Sequence, residues 1–382
     1  METQTRICFV SLPARGAFIP GAGSRIGGAE VQVKHLATYI ASREGFEAHV
    51  IVENSGQPER EVVDGVTLWR LAQPPERASV MGSAWRKIGS AVNLWRRIRS
   101  LRAGAYAQFS AGAETGIVQH AAHSIGAAFV YRISSDSECE PPWSRGGGIV
   151  AWLYRRGLAR ADAVISQHSA QQEAARRTFG RETVVVPSVF PFPPFEPAEG
   201  TMVLWAGRCG APKRPGLLLQ LARALPGAQF LMVAPPSDRE EALFERIRSE
   251  AAALPNVEFL PGVAHGEIAV QYRRAAILVN TSDYEGMPNT FLEAAAYGLA
   301  IVSLNADPDG MLAKEAAGIC AEGDFDRLER DIRHLCADVS RRNDLAQRGR
   351  EILVARHDVR HVGPKFLHLV QNAIEKRRGS HP

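Results

Sequence analysis

Residues 276–305 read AILVNTSDYEGMPNTFLEAAAYGLAIVSLN. Apolar runs at the two ends, AILVN and AIVSLN, enclose a loop of turn formers and a segment of helical period. Strand, loop, helix and strand within about thirty residues make the βαβ unit of a parallel sheet. Pro288 suits a first helical position and Gly298 the residue just past a helix end, so a helix is predicted between them.

The same alternation runs outward in both directions. Upstream it reads ICFVSL, VQVKHLATYIASREG and FEAHVIV, then AFVYRI, AVISQ and TVVVP. Residues 187–197, PSVFPFPPFEP, carry five prolines and can neither continue a helix nor enter a sheet, which marks a linker. Beyond it the alternation restarts with MVLWAG, PGLLLQLARAL, AQFLMV, DREEALFERIRSEAAAL and VEFL, and the tail is helical. The expected fold class is α/β, with two Rossmann-like doubly wound parallel-sheet domains facing a central cleft. The expected boundaries are 1–190, 191–360 and a C-terminal helix over 361–382.

Composition narrows the function. With 45% apolar and 23% charged residues in 382, the chain is an ordinary globular sequence. No apolar run approaches the roughly 18 residues that span a bilayer, and METQTR followed by ICFV does not make a signal peptide, so the expected location is cytoplasmic. Five scattered cysteines without a C-x-x-C pair suggest neither disulfides nor zinc. The net charge of +4 is concentrated in residues 1–190, which hold 22 Lys and Arg against 16 Asp and Glu; a nucleic-acid partner is not expected.

Ligands of open parallel sheets bind beyond the carboxyl ends of strands. Three strand-to-helix loops stand out there. In SRIGGAE (24–30), Gly27 and Gly28 would let a ligand approach a helix N-terminus, or simply serve a flexible helix start. The segment is not G-x-G-x-x-G, so a nicotinamide reading lacks its fingerprint. In GRCGAPKRP (207–215), Arg208 and Lys213 follow a strand directly and could neutralise a diphosphate. In the third loop, the amides of Asn289 and Thr290 suit a phosphate, whereas the carboxylates of Glu285 and Glu293 would repel one. Those carboxylates make sense as acceptors for neutral hydroxyls. A nucleotide sugar has hydroxyls at both ends, on ribose and sugar, with a diphosphate between.

EGMPNTFLEA resembles the E-x7-E motif of retaining glycosyltransferases of family 4, which have the GT-B fold. SRIGGAEVQVKHLA is similar to that family's N-terminal glycine loop, and WAGRCGAPKRPGLLL to its Arg/Lys diphosphate site. The resemblance implies a C-terminal helix packed back onto the first domain, an acceptor side in 1–190 and a donor domain in 191–360. It implies that Glu293 binds the ribose hydroxyls and that Glu285, with the backbone of Gly286, Met287, Pro288 and Asn289, holds the sugar. Arg208 and Lys213 hold the diphosphate, helped by Gly28 and the amide of Thr290, and Val263 packs near the base. No cofactor or metal is implied, the nucleoside-diphosphate sugar being the substrate. The implied reaction is sugar transfer with retention to a hydroxyl of a lipid-linked or growing glycan, as in capsule, exopolysaccharide or O-antigen synthesis. Rival readings are a GT-B-fold nucleotide-sugar epimerase and a non-catalytic nucleotide-sugar-binding protein.

Many members of that family place a histidine after the strand that here reads AFVYRI; this chain has Ser134, Ser135 and Asp136 instead. Asp136 either orients or deprotonates the acceptor, or forms an Asx turn ending the strand. His120 and His123 read as surface or packing residues. Asp307-Pro-Asp309 and Asp324-Phe-Asp326 spell D-x-D, but a turn and a helix start account for them. Residues 85–102 hold six cations, two tryptophans and no acid, and 143–160 add Trp143, Trp152 and more arginines. Such helices either lie in an anionic membrane interface, at the inner face of the plasma membrane, or pack their apolar side into a core.

Overall fold

A computed structural model describes residues 4–19, 21, 27–73, 83–141, 143–144, 146–196, 198–237, 240–263 and 267–379, without the side chains of 83–87. The chain forms two compact units, Met1–Val189 with Val359–Pro382, and Phe190–Asp358.

The first unit is built on strands β1 (Thr5–Val10), β2 (Phe46–Val52), β3 (Arg60–Val63), β4 (Val66–Arg70), β5 (Ala105–Phe109), β6 (Ala128–Arg132), β7 (Ala163–Ser166) and β8 (Val184–Val185). They lie in the order β3-β4-β2-β1-β5-β6-β7-β8. All neighbours are parallel except β3 and β4, an edge hairpin turned at Asp64 and Gly65, both with positive φ. That antiparallel edge departs from the purely parallel expectation. An Asp-Gly pair between β-formers is the usual source of such a turn.

Side chains alternate between two cores, as strand geometry demands. In β1, Ile7 and Phe9 face one cluster and Cys8 and Val10 the other. Helices α1 (Arg15–Phe18) and α2 (Gly28–Ala41) follow β1; α3 (Ser83–Leu101), α4 (Glu114–His123), α5 (Ile149–Arg160) and α6 (Ser169–Phe179) follow in turn. Leu36 and Ile40 of α2 join the first cluster, and Leu94, Val118 and Tyr154 of α3, α4 and α5 join the second.

The last helix of the chain, Val359–Gly379, belongs to this unit. Its Phe366 stacks on Phe9 at 6.0 Å and meets Phe109 edge-on at 6.3 Å. Arg377 reaches Asp162 at 3.6 Å, and His123 Nε2 pairs with the same carboxylate at 2.9 Å. The helix runs straight through Pro364, which removes one backbone donor. Burial of Phe366, Leu367, Val370, Ala373 and Ile374 offsets that loss.

The second unit has β9 (Met202–Ala206), β10 (Phe230–Val233), β11 (Val257–Leu260), β12 (Ala275–Asn280), β13 (Ala300–Ser303) and β14 (Ile319–Cys320). Their order is β11-β10-β9-β12-β13-β14, and every pair is parallel. In chain order this is 3-2-1-4-5-6, the doubly wound arrangement whose direction reverses between its first and fourth strands, here β9 and β12. Helices α7 (Gly216–Ala224), α8 (Glu241–Ala252), α9 (Ile268–Arg273), α10 (Asn289–Ala296), α11 (Phe325–Ala337) and α12 (Val339–His357) complete it. With the C-terminal helix counted as α13, Val203 and Trp205 of β9 face α7, α8 and α11, while Leu204 faces the cluster of α10.

Candidate functional site

The reversal point of the second unit brings two of the singled-out loops together. Thr281, just past β12, donates its hydroxyl to the Lys213 carbonyl at 2.7 Å and accepts from Trp205 Nε1 at 2.9 Å. Asp283 N donates to the Pro212 carbonyl at 2.9 Å, and Glu240 accepts from Ala211 N at 2.7 Å. Arg214, with φ +47°, turns the chain there and pairs with Asp283 at 3.2 Å. The Thr281, Asp283 and Arg214 bonds lock the loop after β9 against the loop after β12, and Glu240 ties the first of these loops to the start of α8.

As a result Lys213 Nζ and Glu285 form an ion pair, and the Ser282 hydroxyl donates to Glu285 Oε1 at 2.8 Å. Only 15% of the Glu285 side chain is exposed, against 35% for Lys213. Arg208 lies in the same loop, exposed, with no side-chain partner among the described residues.

Helix α10 starts one residue later than its sequence suggests. Pro288, with ψ 122°, is the N-cap residue rather than the first helical one, because its extended ψ turns the chain from the loop into the helix. Asn289 and Thr290 follow as the first two helical positions, and the next amide, Phe291 N, donates back to the Pro288 carbonyl at 3.1 Å. Glu293, one turn further, accepts a hydrogen bond from the buried hydroxyl of Tyr272 on α9. Burial pushes the Glu293 carboxyl up to about 7, and the Tyr272 bond opposes that rise only in part. Tyr272 in turn stacks on Tyr297 at 5.6 Å. Met287 and Val263 are half-buried against the same cluster as Tyr272, and Gly286 lies in the loop between Glu285 and Met287.

Gly27, Gly28 and Asp136 belong to the first unit. Gly27 is the N-cap of α2, and its N–H donates to Glu30 at 2.7 Å, so this amide serves its own helix start. Gly28 opens the helix; Ser24, Arg25 and Ile26 lie outside the described residues.

Asp136 starts a 3-10 turn after β6, yet its carboxylate does not cap that turn. Ser135 is the N-cap, and Glu138 accepts from the amides of Ser134 at 2.9 Å and Ser135 at 3.2 Å. The Asx-turn reading is therefore replaced: Asp136 Oδ1 accepts from His168 Nε2 at 3.1 Å and Gln171 Nε2 at 2.9 Å. Glu138 is buried beneath it with Tyr131 donating at 2.6 Å, and burial lifts its carboxyl to about 7.

Elsewhere, in the two D-x-D segments, Asp324 caps α11 and Asp307 accepts from the amides of Leu312 and Ala313. His120 is exposed, and His123 bonds Asp162 and Gln119. The tryptophans of the basic helices divide. Trp95 and Trp143 are half-buried against the core, while Trp152 is 47% exposed, close to the exposed Ile149 and Val150. The Trp85, Arg86 and Lys87 side chains lie outside the described residues. No described helix is long and apolar enough to cross a membrane.

Residues 27–188 match a family described as "Glycosyl transferase 4-like domain", and residues 200–338 match "Glycosyl transferases group 1". These are domains of the GT-B glycosyltransferase superfamily. The fold agrees. Sucrose-phosphate synthase from Thermosynechococcus elongatus superposes with a TM-score of 0.77 at 18% identity, over 98% of this chain and 100% of that one. HepE from Anabaena, solved with UDP and glucose, superposes with a TM-score of 0.74 at 16% identity, over 97% and 100%. In sequence, D-inositol 3-phosphate glycosyltransferase of Mycobacterium tuberculosis is 28% identical over 110 residues. That match spans 28% of this chain and 23% of the relative's length.

Two residues that bear on the site were missed in the sequence, Tyr272 and His168. Tyr272 is 21 positions from Glu293 and His168 is 32 from Asp136, so each pair meets only through the fold of its own unit.

Proposed function

We propose that the chain transfers a sugar from a nucleoside diphosphate to a hydroxyl group, with retention at the anomeric carbon. The observation that carries this reading is the Lys213–Glu285 pair at the strand-order reversal, with Glu293 one turn into the helix that follows. A cation for the diphosphate stands directly beside a carboxylate suited to sugar hydroxyls. A second carboxylate, partly protonated near neutrality, is suited to ribose hydroxyls.

In the reaction the acceptor oxygen bonds to the anomeric carbon while the bond from that carbon to the phosphate oxygen breaks. Its electron pair leaves with the diphosphate, and the acceptor proton passes to the leaving phosphate. The transition state separates a cationic sugar from an anionic leaving group. Lys213, Arg208 and the amide of Thr290 stabilise the anion. Val263 packs near the base, and Glu285 with the backbone of Gly286 to Asn289 holds the sugar. In the first unit Asp136 meets the acceptor.

The donor is a nucleoside-diphosphate hexose; UDP-glucose, with which HepE was solved, is the first candidate. The acceptor is a lipid-linked or growing glycan in bacterial surface-polysaccharide synthesis. Exposed Ile88, Val92, Ile149, Val150 and Trp152, with Arg156 over the Trp152 ring at 5.3 Å, suit a peripheral contact with an anionic membrane. Flotation with phosphatidylglycerol vesicles at low salt tests that contact, which Trp152→Ala should weaken.

Thermal-shift screening against a panel of nucleoside-diphosphate sugars tests the main proposal. A donor at a hundred times its Kd should add about 2.7 kcal/mol. Glu293→Ala or Arg208→Ala should lower kcat/KM by roughly ten- to a hundred-fold. Unchanged turnover in both variants would refute the donor site.

A further inference from the structure

The first unit contains a polar network that the donor chemistry does not use, at the carboxyl ends of β6 and β7. Its outermost member is Asp136. One carboxylate oxygen, Oδ1, is held by two donors, His168 Nε2 and Gln171 Nε2. The other, Oδ2, has no hydrogen bond among the described residues, and 40% of the side chain is exposed.

The two donors are themselves fixed in orientation. His168 is the N-cap of α6, and its Nδ1 accepts the Gln171 amide at 3.3 Å. An acceptor at Nδ1 places the proton of the neutral ring on Nε2, which faces Asp136. The Gln171 side chain is buried, and its Oε1 accepts from Gln167 N at 2.7 Å, which leaves its NH2 for Asp136. Gln167 continues inward, donating to the Ile133 carbonyl at 3.1 Å and accepting from Ser188 Oγ at 2.9 Å. Buried Arg132 donates to Ser188 at 2.9 Å. Helix capping alone needs only the His168 bond; it does not explain two side-chain donors converging on one oxygen of a carboxylate that caps nothing.

We propose that His168 and Gln171 are positioning residues that hold Asp136 so that Oδ2 accepts a hydrogen bond from the acceptor: from a hydroxyl beside the attacking one in a sugar or polyol, or from the second O–H of an attacking water. This rests on the transfer reaction proposed above. Asp136 orients the acceptor through a hydrogen other than the one transferred; the proton of the attacking O–H leaves with the phosphate, so Asp136 takes none. The ligand class assigned to this place is a neutral hydroxyl, of a sugar, a polyol or water.

The test uses the full chain with the nucleoside-diphosphate sugar that gives the largest thermal shift, and reads release of the nucleoside diphosphate into water. His168→Ser keeps a hydroxyl to cap α6 but cannot reach Asp136. His168→Gln keeps a donor of similar reach. We expect Asp136→Asn and His168→Ser to lower kcat by roughly ten- to a hundred-fold, with donor KM within about two-fold of the parent. His168→Gln should recover most of that loss. The inference is overturned if His168→Ser retains the parental kcat, if His168→Gln is as impaired as His168→Ser, or if donor KM rises in step with the loss. A parent chain that binds donor but releases no nucleotide also overturns it. Failure to bind any nucleoside-diphosphate sugar instead removes the donor reading on which it rests.

Discussion

Glu293→Gln should make the protein more stable and less active at once, in a pH-dependent way. The Glu293 carboxyl is raised from its ordinary 4.5 to about 7 by burial, so the folded chain holds this proton across a range where the unfolded chain has released it. Stability contributed by the site is therefore fully present below about pH 4.5 and declines as pH rises towards 7. At about 1.4 kcal/mol per pH unit, the ionised carboxylate costs up to roughly 3 kcal/mol at pH 8. Glutamine removes that cost and keeps an acceptor for the Tyr272 hydroxyl, but a neutral acceptor gives up roughly 1 kcal/mol of the charged bond. The net gain is about 1–2 kcal/mol at pH 8 and near zero at about pH 5, or roughly 2–8 °C for the transition of the second unit. Calorimetry of parent and variant at the two pH values reads it directly. Equal stability at both, or a less stable variant at pH 8, would show that the carboxyl is not strained in the free protein. The loss of kcat/KM should accompany the gain, because a glutamine oxygen that already accepts from Tyr272 has one lone pair left for the proposed ribose hydroxyls, whereas a carboxylate has three further acceptor positions.

Other outcomes follow from the same contacts. Glu285→Gln should tighten binding of the bare nucleoside diphosphate by about five- to thirty-fold in titration calorimetry, since a phosphate oxygen on Lys213 would lie roughly 5–6 Å from that carboxylate; weaker binding would contradict the placement. Phe366→Ala, at a fully buried position on α13, should cost about 3–5 kcal/mol in urea unfolding. Gly363→Ala would bring a methyl group to 2.7 Å from the Tyr39 ring and should cost about 1–3 kcal/mol; an unchanged midpoint would argue against that helix position.

Strands such as AILVN and FEAHVIV were legible because β-branched runs buried on both faces leave little alternative. AYAQF, which forms β5, was not, since its small and polar residues carry no strand signal by themselves; its place between β1 and β6 decides it. The motif residues Lys213 and Glu285 could be singled out by their loops, but their mutual contact depends on β9 and β12 being neighbours. Asp136 was ambiguous from composition alone. The Ser135-x-x-Glu138 spacing, a capping box, already indicates that the turn has its caps and that Asp136 is spare. The residue it spends its carboxylate on, His168, lies 32 positions away, and no local pattern reports such a pairing.

The Lys213–Glu285 pair has a consequence for how the site would treat substrate and product. A cation and a carboxylate in a partly enclosed loop pair satisfy each other, so a diphosphate approaching Lys213 does not meet a free charge; it competes with Glu285. A bare nucleoside diphosphate takes the lysine and leaves the carboxylate, only 15% exposed, with the Ser282 hydroxyl alone. On the donor site proposed above, a complete nucleotide sugar would take the lysine and also offer hydroxyls to the carboxylate it releases. The exchange would thus favour the donor over the nucleotide it becomes, since the penalty for a stranded carboxylate would fall on the product and not on the substrate. Weak retention of the leaving nucleotide then needs no separate device.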